Sequence, residues 1–213
     1  MPSDESPKGS SPEDISEWVT RRTLLRRVKD KSDNDAWADF TFYYRKYIYN
    51  LVRKMGLSHH DAEEIVQSVI LKAWNVLPTF DYKPEKGRFR GWLCTVAGNE
   101  TRNFLRAQGR RTAPLESLEW EAEEQTPENA TVRPEIEKFA QQEWESYLPE
   151  LAWKTISTEF EPQVLKCFQL FAEGVEAREI AKRLGIAESS VYVYKKRVQD
   201  RLTQEVARLQ KEL

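Results

Sequence analysis

AREIAKRLGIAESSVYVY, residues 177–194, decides what the last part of this 213-residue chain folds into. Ile180, Ala181, Leu184, Gly185, Ile186, Val191 and Tyr194 stand where two short helices meeting at a tight turn need them. A small Ala181 lets the helices approach, Gly185 takes the positive φ of the turn, and the apolar positions lock the crossing angle. On the second helix Val191, Tyr194, Val198 and Leu202 share the inner side, because steps of three and four residues stay on one face. Ser189, Val193 and Lys196 project opposite, with Tyr192 and Arg197 on the shoulders. Those residues and Ser190 occupy the positions that a recognition helix presents to a DNA major groove. A plain helical hairpin is the alternative reading. Ala187 sits where a helix cap prefers Ser, Thr, Asn or Asp, a loss of about 1 kcal/mol, so either the helix starts later, at Ser189 or Ser190, or the poor cap is tolerated.

Outward from this motif the chain reads as all-α. Amphipathic segments cover residues 15–29, 35–55, 58–77, 90–108, 134–153, 158–172, 177–184 and 188–211, and no stretch alternates with a period of two. Ser58 with Asp61 resembles a capping box, and Gly56 closes the helix before it. Pro84 and Gly87 mark residues 81–88 as a loop. The expected organisation is a disordered leader over 1–14 and a helical domain over 15–111. A flexible acidic linker over 112–134 then leads to a helix-turn-helix domain over 135–213.

A net charge of −2 conceals a strong asymmetry. Residues 72–111 carry nine basic and three acidic side chains, and residues 174–213 carry nine and six. Between them, residues 112–150 hold eleven Glu against Arg133 and Lys138. Two basic modules thus flank an acidic connector, and basic patches attract nucleic acid without regard to sequence. No apolar run approaches 18 residues, so no membrane insertion is expected. The leader lacks an apolar signal core, and the expected location is the cytoplasm. Cys94 and Cys167 lie in apolar helical patterns and read as buried thiols in a reducing compartment. His59 and His60 are adjacent, diverge on a helix and have no Cys nearby. No catalytic residue, metal ligand or cofactor is expected.

Two helix faces carry residues that a solvated surface does not require. In residues 87–111 (GRFRGWLCTVAGNETRNFLRAQGRR), Trp92, Val96, Asn99, Asn103, Arg106 and Arg110 form one stripe. Such a stripe suits flat bases and phosphates: rings accept unstacked bases, amides reach base edges and guanidiniums fork onto phosphate. In residues 58–77, Ala62, Ile65, Val69, Ala73 and Val76 make a core stripe, while Glu63, Gln67, Leu71 and Trp74 make a second one. Leu and Trp among acids on an outer face suit a protein partner. A half-buried Trp92 on a polar face, and a helix buried on both sides, are the bland alternatives. Arg21, Arg22, Arg26, Arg27 and Lys29 read as a solvated basic face, with a DNA contact as the alternative.

Asp61-Ala62-Glu63-Glu64-Ile65-Val66-Gln67, Phe89-Arg90-Gly91-Trp92-Leu93, Asn99 and Arg106, followed by the helix-turn-helix, resemble the extracytoplasmic-function group of bacterial sigma factors. The resemblance covers about residues 40–111 and 158–204, in the family's order. It implies no enzyme activity, with core RNA polymerase and promoter DNA as partners. Asp61, Glu63, Glu64, Ile65 and Gln67, extended by Leu71 and Trp74, would dock on the β′ clamp helices, and the C-terminal module on the β flap. The loop with Lys86 and Arg88 would capture an unstacked minus-10 base. Trp92, Asn99, Arg102, Asn103 and Arg106 would line the single-strand path, with Arg110 and Arg111 on phosphates. Ser189, Ser190, Tyr192, Lys196 and Arg197 would read the minus-35 element. An anti-sigma protein is a further partner that the resemblance allows, and the acidic linker would thread a polymerase channel or serve as a solvated tether. The competing hypothesis is a two-domain helix-turn-helix regulator that never joins the polymerase.

Overall fold

A computed structural model of the protein describes residues 24–80, 89–110 and 132–212. After a helical turn at 24–27 come α1 (Asn34–Lys54), α2 (His59–Val76), α3 (Phe89–Ala107) and α4 (Pro134–Ile156). A 3-10 turn at Ser157–Glu159 leads to α5 (Pro162–Ala172), α6 (Ala177–Leu184) and α7 (Glu188–Glu212). The described residues contain no strand, as an all-α reading requires. The expected leader, the loop 81–88 and most of the linker lie outside the described residues.

The first compact unit runs from Trp18 to Tyr147. Asp33 caps α1 by accepting from the Ala36 N–H at 2.9 Å, and Arg27 holds that carboxylate with two hydrogen bonds of 2.9 Å. Hydrogen bonding from Arg27 keeps the Asp33 carboxyl below its ordinary pKa, so this arginine of the basic segment has a structural task. Ser58 caps α2 by accepting from the Asp61 N–H at 3.1 Å, and Gly56 ends the preceding turn at φ 94°. Phe40, Tyr44, Tyr47, Ile48 and Leu51 of α1 are buried against Ala62, Ile65, Val66, Val69 and Ala73 of α2 and Leu93, Ala97 and Leu105 of α3.

This unit also takes in the first half of α4. Trp144, 1% exposed, stacks on Tyr44 at 5.7 Å and meets Tyr47 edge-on at 5.2 Å. The Tyr47 hydroxyl donates to the Ala140 carbonyl at 2.8 Å in a buried setting, which satisfies a group otherwise costly to bury. Lys54 pairs with Glu143 at 2.5 Å, and Arg90 donates to Gln141 at 3.1 Å while its guanidinium covers the Trp144 ring. Gly91 is a close-approach position: a Cβ there would run into the Glu137 carboxylate and lie 2.8 Å from Val132 Cγ1. These contacts pack residues 132–147 on the same core as α1 and α3. The units divide between Tyr147 and Leu148, inside α4, and Pro149 just beyond removes one helical donor.

The C-terminal unit contains Leu148–Leu213. Its centre is Cys167, Leu170, Ala177, Ile180, Ala181 and Val191, with Leu184, Ile186 and Tyr194 packed around them. Gly185 ends α6 at φ 65°, in the left-handed conformation that glycine adopts without steric cost. The later helix start considered at Ser189 or Ser190 is not adopted: α7 begins at Glu188, directly after Ala187. Glu205, 1% exposed, is clamped by Arg208 at 2.6 Å and Arg201 at 3.0 Å, and Arg201 also holds Glu159 at 2.6 Å. This network ties α7 to the turn before α5.

Candidate nucleic-acid and partner interfaces

The outer side of α2 separates into exposed and engaged residues. Glu64 and Gln67 are exposed, and Leu71 is 62% exposed, which leaves an isobutyl group in water among polar neighbours. Glu63 is half-buried and paired with Arg45 of α1. Trp74 is half-buried, with its ring 4.5 Å from Trp37 and Lys31 above it, so it caps the start of α1 as well as edging the surface. Ile65, named in the docking set by resemblance and in the α2 core stripe by periodicity, is 3% exposed and packs in the core. Asp61 is tied down by Ser58 and by Arg110, 3.2 Å away. The Ser58 hydrogen bond, then Arg110, lowers its pKa and keeps it charged.

Trp92 of α3 lies in the core of the first unit. It is 4% exposed, stacked on Phe89 at 5.3 Å and tilted against Phe80 at 4.8 Å, so its ring faces aromatic neighbours and offers no open platform to a base. Val96 of the same stripe is buried too. The first turns of α3 are buried on nearly every side, because the segment 132–147 covers the flank around Arg90, Gly91 and Cys94 that an isolated helix would expose. Burial pushes the Cys94 thiol far up, with Glu143 and Glu137 adding to it, so the thiol stays protonated and inert.

The second half of α3 does open outward. Asn103 and Arg106 are exposed, while Asn99 and Arg102 are half-buried. Desolvation lowers the Arg102 pKa, and the like charges of Arg106 and Arg133 lower it further. Arg102 Nη1 is buried and meets no acceptor among the described residues. Three guanidiniums gathered in this way favour an anion at the end of α3. Arg133 was missed from sequence because it lies in the acidic stretch. Arg110 is exposed but shared between Asp61 and Gln108, so one ion pair links the candidate partner surface to the candidate phosphate surface. Lys86, Arg88 and Arg111 lie outside the described residues.

On α7, Ser189, Tyr192, Lys196 and Arg197 are exposed and Ser190 is half-buried, while Val191 and Val198 are fully buried on the opposite side. Lys196 has only a 3.8 Å pair with Asp200, and Arg197 lies over the Phe160 ring at 5.5 Å. Lys195 is drawn onto Phe171 at 4.0 Å and away from this face. The helix therefore projects a short row of donors and cations from a rigid support, the arrangement that base-edge reading requires.

Comparison with known proteins agrees with both geometries. Residues 43–111 match the Sigma-70 region 2 family, and residues 161–205 match the helix-turn-helix family described as bacterial regulatory proteins, luxR family. The ECF RNA polymerase sigma factor SigW of Bacillus subtilis is 33% identical over 85 residues, 39% of this chain and 44% of that protein. The ECF RNA polymerase sigma-E factor of Haemophilus influenzae is 28% identical over 135 residues, covering 59% and 69%. That of Escherichia coli K12 is 30% identical over 146 residues, covering 64% of this chain and 73% of the relative. The chain belongs to the ECF RNA polymerase sigma factors. As such it is a DNA-binding protein of transcription initiation, and the hypothesis of a regulator that never joins the polymerase is not favoured. Among the described residues of this sigma factor, no cluster of His, Cys, Asp or Glu could hold a metal ion, and no helix is long and apolar enough to cross a membrane.

Proposed function

We propose that this sigma factor docks on core polymerase through the Glu64–Gln67–Leu71 face of α2, with Trp74 at its edge, against the β′ clamp helices. The C-terminal unit engages the β flap and lays α7 in the major groove of the minus-35 element, with Ser189, Tyr192, Lys196 and Arg197 toward the DNA. Asn103, Arg106 and Arg102, aided by Arg133, hold the nontemplate strand of the minus-10 element, and the loop with Lys86 and Arg88 takes an unstacked base. Arg110 joins them when it exchanges Asp61 for phosphate. The protein acts by binding, in the cytoplasm, and the polymerase supplies the chemistry.

The observation that carries the docking assignment is Leu71, 62% exposed between polar residues on a helix of the region 2 match. Apolar side chains inside a polar rim are where interfaces concentrate their energy. Leu71→Lys, which removes no core contact, should weaken binding of the full chain to core polymerase by about tenfold or more, the cost of losing about 1.4 kcal/mol. Gln67→Lys should weaken it further. Unchanged affinity in both variants would reject this face.

A further inference from the structure

Among the described residues only four large hydrophobic side chains are exposed, and two of them, Tyr192 and Val193, are neighbours on α7. Val193 is 62% exposed and lies one helical turn from Ser189 and three residues before Lys196, in the middle of the outward row. A β-branched residue in an exposed helix loses rotamer freedom and gains no burial, so the position has a cost without a structural return. Its neighbours are hydroxyl and cationic groups suited to phosphates and base edges. An isopropyl group among them suits the one apolar feature of the major groove, the C5-methyl of thymine.

Building on the duplex-reading role proposed for α7, we infer that Val193 is a specificity residue that reads a thymine methyl in the minus-35 element. Tyr192 on the shoulder directs its ring and hydroxyl toward the sugar-phosphate wall, which sets register and carries no sequence preference. Lys196 supplies the charge that brings the helix into the groove. The preference thus comes from a patch of about one methyl group, and adenine or cytosine at that position leaves Val193 facing a polar edge.

The test uses holoenzyme assembled from the full chain and core polymerase, on a promoter selected from a random library. Each thymine of its minus-35 element is replaced singly by deoxyuracil, which deletes only the methyl. One position should lose about fourfold in affinity, equivalent to about 0.8 kcal/mol for one buried methyl. Val193→Ala, a change at an exposed position, should bind the thymine and deoxyuracil duplexes equally, whereas Tyr192→Ala should weaken both and keep their ratio. Equal binding of the two duplexes by the unaltered protein, or a ratio that survives Val193→Ala, overturns the inference while leaving α7 as the duplex reader. Indifference to scrambling of the whole minus-35 element rejects the duplex-reading role itself, and the inference with it.

Discussion

Replacing Trp144 with Ala should destabilise the N-terminal unit selectively. The indole is 1% exposed and packs on Tyr44, Tyr47 and Tyr147, with the Arg90 guanidinium 4.9 Å from its ring. Truncating a buried Trp to Ala costs about 3–5 kcal/mol. The indole N–H meets no hydrogen-bond partner among the described residues, so its removal recovers part of a desolvation penalty. The expected loss is therefore near the lower bound, about 3 kcal/mol, or roughly a hundredfold in the opening equilibrium. Native-state amide exchange on the full chain reads this directly. The slowest amides of α1 and α3 should exchange about a hundredfold faster, and those of α5 and α6 should keep their rates. Trp144→Phe keeps a ring and drops the orphan N–H, so it should cost much less. Unchanged protection in α1 and α3 alongside faster exchange in α5 and α6 would place residues 134–147 with the second unit instead.

Trp92→Ala should lower the stability of the first unit by about 3–5 kcal/mol, because its ring fills a core between Phe80 and Phe89, and promoter opening should fall only as the folded fraction falls. Thermal denaturation and open-complex assays on one preparation separate that from a selective opening defect, which would put the ring back on the DNA path. Glu205 gives a pH dependence. Hydrogen bonding from Arg208, with a further contribution from Arg201, depresses its folded pKa. The stabilisation is complete above the ordinary glutamate range and is lost as acid titrates the carboxylate down through its lowered folded value. Melting of the second unit should thus weaken as pH drops below about 4, and Glu205→Gln should flatten that slope while lowering stability at neutral pH. An identical slope in the variant would show that Glu205 does not contribute.

Local periodicity was sufficient for the helices. Gly56, Ser58 and Gly185 announced their turns, and α1–α3 and α5–α7 start and stop within a few residues of where pattern and caps place them. The inward set of α7 was legible for the same reason, since Val191 and Val198 recur at helical spacing. The burial of Ile65 follows from its place in the core stripe of α2, whereas the burial of Trp92 is not visible on a helical wheel, which describes one helix alone. The Trp92 ring is covered by Phe80 and Phe89, and residues 132–147, more than a linker's length away in sequence, cover the flank of α3 around Arg90 and Gly91. The packing of residues 132–147 is not legible in composition: Glu137, Gln141 and Glu143 resemble an acidic connector, yet Glu137 abuts Gly91, Gln141 accepts from Arg90 and Glu143 pairs with Lys54. Charge complementarity to the basic α1 and α3 turns that acidity into packing. The register of α7 already set Val193 outward with Ser189 and Lys196, and its 62% exposure agrees.

Promoter-specific initiation is what a sigma factor gives core polymerase. Transcription with purified core enzyme and the full chain on a library of random promoters measures it directly. Initiation should cluster on templates sharing two elements, and it should depend on Leu71, Lys196 and Arg106, each replaced singly by Ala or Glu. Initiation no different from core enzyme alone, with every cognate core tried, would contradict the account.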